Sequence, residues 1–149
     1  MVLLYNFGTA NERESALVPT ATISGNATVC QNAPSPVITF TGSGGTAPYT
    51  FTYTLNGNPQ TDIVTVSGNS VTLPVVTSSS GTFTYSLVRV IDSTNEAQNQ
   101  AGTAVITVTA EPSVDFSFVN NQCSSTAVQF NSTVTGSGSY TYAWDFGDG

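Results

Sequence analysis

Apolar and polar residues alternate with a period of two over several segments after Thr20, as they do in β-strands with one buried face. In the clearest segment, Tyr49, Phe51, Tyr53 and Leu55 fall on one face and threonines fall on the other. Residues that favour turns separate the segments, and no window of twelve residues keeps the period of a helix. The pattern predicts seven strands, at 20–24, 35–41, 48–55, 61–66, 70–76, 82–91 and 103–110.

The apolar phase changes inside the predicted strand 82–91. Phe83, Tyr85 and Leu87 alternate with polar residues, and the apolar positions then move to Val88 and Val90. Either a β-bulge after Leu87 or a strand buried on both faces produces such a change. Seven short strands joined by turns are typical of a two-sheet sandwich, so we predict an all-β, immunoglobulin-like fold.

The chain contains an internal repeat. Cys30 and Cys123 lie 93 residues apart (123 − 30), and the aromatic segments beginning at Tyr49 and Tyr140 lie 91 residues apart (140 − 49). This period matches the length of an immunoglobulin-like module. We therefore predict tandem sandwiches, the second one incomplete: a tail or linker at 1–19, a sandwich at 20–110 and the first part of a second sandwich at 111–149.

The composition excludes several classes of function. Charged residues make up 7% of the chain, with Arg13 and Arg89 as the only cations and no His or Lys. Two separate arginines cannot form a phosphate-binding surface, so we expect no nucleic-acid partner. Without His or Lys the chain cannot form an imidazole-based triad, a His zinc site or a P-loop. The nine carboxylates show no paired pattern, and we expect a non-catalytic protein without a cofactor.

No apolar stretch approaches the length of about 18 residues that a membrane-spanning helix needs. The amino terminus also lacks the basic residues that open a signal peptide. We expect no membrane span.

The last eight residues, Tyr142-Ala143-Trp144-Asp145-Phe146-Gly147-Asp148-Gly149, resemble the Tyr-x-Trp-Asp-Phe-Gly-Asp-Gly motif of the PKD domain. The first module, with Val29-Cys30-Gln31-Asn32 and Gln98-Asn99-Gln100-Ala101-Gly102, resembles repeats of large secreted surface proteins of Bacteroidota. Those proteins include gliding-motility adhesins exported by the type IX secretion system. The resemblance implies a structural repeat of an extracellular, cell-surface adhesin or filament.

The partners that this resemblance implies are neighbouring repeats or subunits of the same fibre, a cell-surface or glycan receptor, and the type IX secretion machinery. PKD-like modules also often adjoin catalytic domains. The alternative function is therefore a carbohydrate-binding accessory module of a secreted enzyme.

Asp145 and Asp148 are candidates for a calcium site, because a hard cation binds clustered oxygens. Only these two carboxylates are local, however, whereas calcium needs about six to eight oxygens. The alternative is a tight turn in which the Asp side chains accept backbone hydrogen bonds. Trp144 could be a platform for sugar stacking, but its place in an alternating aromatic row predicts a position in the core.

Asp92-Ser93-Thr94 resembles the O-glycosylation motif of Bacteroidota, in which Asp precedes Ser or Thr and then an apolar residue or Thr. Ser93 would be the modified residue, at the exposed end of a strand. A polar loop without any modification is the alternative interpretation.

The two cysteines occupy equivalent positions in successive modules. A disulfide needs Cα atoms within about 7 Å, so a bridge between them disagrees with an extended tandem. Related repeats often carry a second Cys before the Gln-Asn-Gln segment, and this chain has none there. We expect Cys30 to be a reduced and mostly buried thiol.

The second module has 39 residues (149 − 110), against about 91 in the first. Two explanations are open: the sequence is a fragment of a longer polypeptide, or another subunit supplies the missing strands. In the second case the segment Val2 to Phe7 is the candidate donor strand.

Overall fold

The computed structural model describes residues 17–119, 128–136, 139–145 and 147. The described residues contain strands and no helix, which confirms the all-β prediction. The twelve strands are β1 (Thr20–Ser24), β2 (Ala27–Cys30), β3 (Val37–Ser43), β4 (Thr50–Leu55), β5 (Asn58–Pro59), β6 (Ile63–Val64), β7 (Ser70–Pro74), β8 (Gly81–Ile91), β9 (Ala97–Asn99), β10 (Thr103–Thr109), β11 (Ser113–Val119) and β12 (Gln129–Thr135).

The first ten strands form a two-sheet, immunoglobulin-like sandwich. One sheet has the order β1-β3-β7. The other has the order β2-β10-β8-β4-β5, with β6 paired to β4 and β9 paired to β8. We call the end where β1 begins the N-terminal pole and the end where β10 finishes the C-terminal pole. β2 continues from β1 along the chain and runs parallel to β10, with Cys30 paired to Thr109 at their ends. The chain therefore enters and leaves the sandwich at opposite ends.

The chain passes from one sheet to the other between β1 and β2. β1 pairs antiparallel with β3, and β2 then pairs parallel with β10. Gly25 lies between them with a φ of +122°, where a Cβ atom would collide with the carbonyl oxygen of Val37. Next to it, the Asn26 side chain accepts a hydrogen bond from the backbone N–H of Val105 at 2.7 Å. The crossing therefore depends on a glycine and on an asparagine that satisfies a β10 donor.

The core lies between the two sheets and is rich in aromatic residues. Phe40 of β3 packs against Phe51 and Tyr53 of β4, with ring centroids 5.6 and 5.1 Å apart. Tyr49, Phe51 and Tyr53 are buried, as their alternation predicts. Burying each large side chain contributes about 1.5–3 kcal/mol. The alternation along β4 thus fixes which face of that strand meets the other sheet.

All seven predicted strands of the sandwich are present, although the predicted 61–66 is reduced to Ile63–Val64. The β8 irregularity is a bulge: Thr52 pairs with Arg89 and Tyr53 with Leu87, so Val88 is the extra residue. The sequence did not indicate β2, β5 or β9. Each has two to four residues and lacks an alternation long enough to recognise.

Beyond the sandwich, β11 and β12 form an antiparallel hairpin with one apolar face. Val114 pairs with Val134 and Phe118 with Phe130 on that face. All seven residues of β11 are exposed, because the described residues provide no second sheet to cover them. Residues 139–145, which hold most of the alternating aromatic row, form no strand in the part of the chain that the structure describes. The predicted donor segment, Val2 to Phe7, lies outside the described residues.

Candidate functional site

Ser93, the candidate for O-glycosylation, lies in the exposed turn between β8 and β9 at the N-terminal pole. Its backbone N–H donates a hydrogen bond to the carbonyl oxygen of Thr46 at 2.9 Å. The preceding residue, Asp92, is only 5% exposed. The turn is thus held to the β3–β4 loop by its backbone, while the Ser93 side chain stays on the surface.

The Asp92 carboxylate is the centre of this turn. Oδ1 accepts hydrogen bonds from the Thr94 N–H at 2.9 Å, the Thr94 hydroxyl at 2.7 Å and the Glu96 N–H at 3.1 Å. Oδ2 accepts the Thr46 N–H at 3.0 Å. The Thr94 hydroxyl, followed by the Thr46 N–H, holds the pKa of Asp92 below its usual value, since each favours the charged form.

These bonds give the three residues of the motif different roles. Asp92 is a structural anchor, and the hydroxyl of the exposed Thr94 bonds to it, whereas the hydroxyl of the exposed Ser93 makes no hydrogen bond to a described residue. The sequence did not reveal the anchor. An Asp followed by Thr two residues later in a loop is the signal that could have indicated a local side-chain-to-backbone turn.

Gly42 near the end of β3 and Gly45 in the β3–β4 loop allow close packing at the N-terminal pole. A Cβ on Gly45 would lie 2.6 Å from Oδ2 of Asp92, and one on Gly42 would lie 2.5 Å from the ring of Tyr49. Tyr49 is 1% exposed, and its hydroxyl donates to the carbonyl oxygen of Gly45 at 2.8 Å. Neither position can accept a side chain without a shift of buried groups.

The aromatic motif near the end of the chain packs on the hairpin. The ring of Trp144 lies 6.1 Å from Phe116 in an edge-on arrangement and 5.8 Å from Phe130. Trp144 is nevertheless 44% exposed, so its predicted core position is wrong. Within the described residues one sheet lies against the ring, whereas Tyr53 of the sandwich lies between two sheets.

The two aromatic pairs repeat one another. Phe40 and Tyr53 have ring centroids 5.1 Å apart and an interplanar angle of 49°. Phe130 and Trp144 have centroids 5.8 Å apart and an angle of 51°. Tyr53 and Trp144 are 91 residues apart (144 − 53) and Phe40 and Phe130 are 90 apart (130 − 40), close to the period found in the sequence. The antiparallel β11–β12 pair likewise corresponds to the β1–β3 pair.

Of the calcium candidates, the structure describes Asp145. It is exposed, and its Oδ1 accepts the Gly147 N–H at 2.8 Å, as in a simple Asx turn. Phe146, Asp148 and Gly149 lie outside the described residues. In the part of the chain that the structure describes, no three His, Cys, Asp or Glu side chains lie close enough together to hold a metal ion.

Cys30 is a free thiol at the end of β2, and it is exposed. The prediction of a mostly buried thiol is therefore wrong. β2 alternates in such a way that Ala27 and Val29 turn towards the core and Thr28 and Cys30 turn away from it. Cys123 lies outside the described residues.

No family model and no curated protein matches this chain. Among solved structures, it is similar to the crystal structure of the CARDB domain of the PF1109 protein from Pyrococcus furiosus, in complex with di-metal ions. The identity is 16%, the TM-score 0.43, and the match covers 63% of this chain and 96% of that one. The solution structure of the same domain gives 14% identity, a TM-score of 0.37, and coverage of 62% and 96%.

The strands and their pairing establish an immunoglobulin-like β-sandwich without help from these two matches. In the described residues no helix is long and apolar enough to cross a membrane.

Proposed function

We propose that the sandwich is a non-catalytic spacer module of an extracellular adhesin or filament. In this proposal residues 20–110 form one module and residues 111–149 belong to a second, PKD-like one. The observation that carries it is the repetition of both strand pairing and aromatic packing at a period of about 91 residues. Repeated modules in one chain make elongated structures, because each contacts mainly its neighbours.

The direction of the terminal strands suits a module under tension. The chain enters at one pole and leaves at the other, so a pulling force acts along the strands. β2 runs parallel to β10 from Ala27↔Ile106 to Cys30↔Thr109. The backbone N–H of Gln31 extends this contact with a 2.8 Å hydrogen bond to the Thr109 carbonyl. A force along the axis loads these bonds together in shear rather than one at a time.

The surface chemistry supports a location outside the cell. Thr and Ser contribute 42 of 149 residues (24 and 18), so the outer faces of the strands are neutral and hydrated. The resemblance to secreted Bacteroidota repeats also supports an extracellular location, and it implies export by the type IX machinery. An O-glycan on Ser93 would lie at the N-terminal pole, beside the junction with a preceding module.

The alternative is a carbohydrate-binding accessory module of a secreted enzyme. The observation that favours it is the exposure of Trp144 beside Phe116, an aromatic pair open to solvent. Such rings are suitable platforms for sugars. In an assembled second module the same rings would be covered instead.

Force spectroscopy on the full chain tests the spacer role. We expect one rupture of the sandwich, whose 90 residues (20–109) span about 300 Å when fully extended at roughly 3.3–3.6 Å per residue; the gain in length is this value less the folded end-to-end distance. Gradual lengthening without a rupture would contradict a load-bearing function.

Labelling of intact cells with an antibody to residues 20–110 tests the location. We expect labelling that external protease removes. Antigen that becomes accessible only after lysis would contradict an extracellular module.

A further inference from the structure

A cleft of about 250 Å³ opens between the two sheets at the C-terminal pole. It lies where β4 and β7 end and β8 begins, on the side where β5 and β7 form the sheet edges. Its walls combine apolar side chains with two phenols and one amide: Leu55, Leu73, Phe83, Tyr53, Tyr85 and Gln60. No residue lining the cleft is charged.

Two tyrosines supply the hydroxyl groups of the cleft. Tyr53 is 7% exposed and Tyr85 is 6% exposed, and their rings stack with centroids 6.3 Å apart. Neither hydroxyl makes a hydrogen bond to any described residue. Neither oxygen is fully buried, so both hydroxyls reach the solvent at the opening of the cleft while their rings stay in the core. The hydroxyl of Tyr49, at the other pole, donates instead to the carbonyl oxygen of Gly45.

Burial of the two stacked phenols affects the ionisation of both hydroxyls. Burial raises the pKa of Tyr53 and Tyr85, and the neighbouring Tyr53 hydroxyl raises that of Tyr85 further. Both groups therefore stay neutral near pH 7, and each can donate and accept a hydrogen bond.

The chemistry of the cleft selects its ligand. A charged group would lose its hydration without meeting an opposite charge. A hydrocarbon side chain from a peptide would fill the apolar walls but leave both phenols without partners. A neutral sugar has C–H faces for Leu73 and Phe83 and hydroxyls that match the tyrosines. The volume is below the roughly 300–1,000 Å³ of pockets for drug-sized ligands, so it suits a single sugar unit.

We propose that this cleft binds one unit of a neutral glycan, with hydrogen bonds from its hydroxyls to Tyr53 and Tyr85. The site is separate from Trp144 and does not depend on the spacer function. It would give this sandwich a weak glycan contact of its own.

Titration of the full, ¹⁵N-labelled chain with cellotriose, maltotriose and mannotriose tests the proposal by NMR. We expect at least one of the three to shift the amide signals of Tyr53, Leu73 and Tyr85. Trigalacturonate, which carries charge, serves as the control and should not shift them.

The double variant Tyr53→Phe/Tyr85→Phe removes only the two hydroxyls. Since neither bonds to a described residue, its thermal unfolding should match that of the wild type. Its affinity for the sugar should fall at least about tenfold with the loss of two hydrogen bonds. Tyr142→Phe changes an exposed tyrosine outside the cleft and should bind like the wild type.

Three results would overturn the proposal. They are the absence of shifts with all three neutral sugars, wild-type affinity in the double variant, and equal binding of trigalacturonate. Shifts of the same signals with protein concentration alone would also overturn it, because a second copy would then occupy the cleft.

Discussion

At the scale of the residue, Asp92 joins two loops of the N-terminal pole through one buried carboxylate. In Asp92→Asn, one side-chain oxygen could still accept from Thr94 and Glu96. The new NH₂ group would then face the Thr46 N–H, and two donors cannot bond each other. We expect the variant to fold with a lower midpoint of thermal unfolding at pH 7. Asp62→Asn, at an exposed position, is the matched control and should leave the midpoint unchanged.

The same carboxylate predicts a pH dependence. Its folded pKa lies below the unfolded value of about 3.9, so the unfolded state takes up protons first as the pH falls. The stabilisation is complete above pH 5 and declines as the pH falls through about 4 towards the folded pKa. The difference in unfolding midpoint between wild type and Asp92→Asn should therefore shrink between pH 5 and pH 2. A constant difference over that range would contradict the role given to the charge.

At the scale of the element, β2 is the short strand on which the load-bearing proposal depends. Val29→Pro removes a backbone N–H and places a rigid ring in the β2–β10 ladder. We expect it to lower the free energy of unfolding by about 1–3 kcal/mol. The rupture force of the sandwich should fall as well.

The control for this variant is Thr61→Pro, which lies outside the strands and whose N–H makes no hydrogen bond within the described residues. It should keep the rupture force of the wild type. Equal forces in Val29→Pro and the wild type would show that tension does not pass through β2.

At the scale of the whole molecule, equivalent aromatic positions have unequal environments. Tyr53 lies between two sheets, and Tyr53→Ala should cost about 3–5 kcal/mol, as loss of a large buried aromatic does. Trp144 is half-exposed on a single hairpin, so Trp144→Ala should leave the unfolding of the sandwich within about 0.5 kcal/mol of the wild type.

Circular dichroism of the full chain measures these two changes. Trp144 is the only tryptophan, so its fluorescence reports on the hairpin separately. We expect quenchers to reach it readily in the folded protein. An equal loss of stability in the two variants would mean that hairpin and sandwich fold as one unit.

The alternation of apolar residues determined much of this fold. Tyr49, Phe51 and Tyr53 can all be buried only if their strand has one face towards a second sheet, so their pattern indicates both strand and core. The shift from Leu87 to Val88 indicated either a bulge or a strand buried on both faces, and the pairing of β4 with β8 shows the bulge. These features are local, since each depends on side chains within one strand.

Other features depend on residues distant in the chain, and only the tertiary structure decided them. β2 exists because β10 lies beside it, and the exposure of Cys30 follows from that pairing. The anchoring role of Asp92 requires Thr46, and the cleft requires Tyr53 and Tyr85 on neighbouring strands. Trp144 shows the same limit. Its alternation predicted burial, but burial needs a facing sheet, and a periodic pattern describes only one side of that contact.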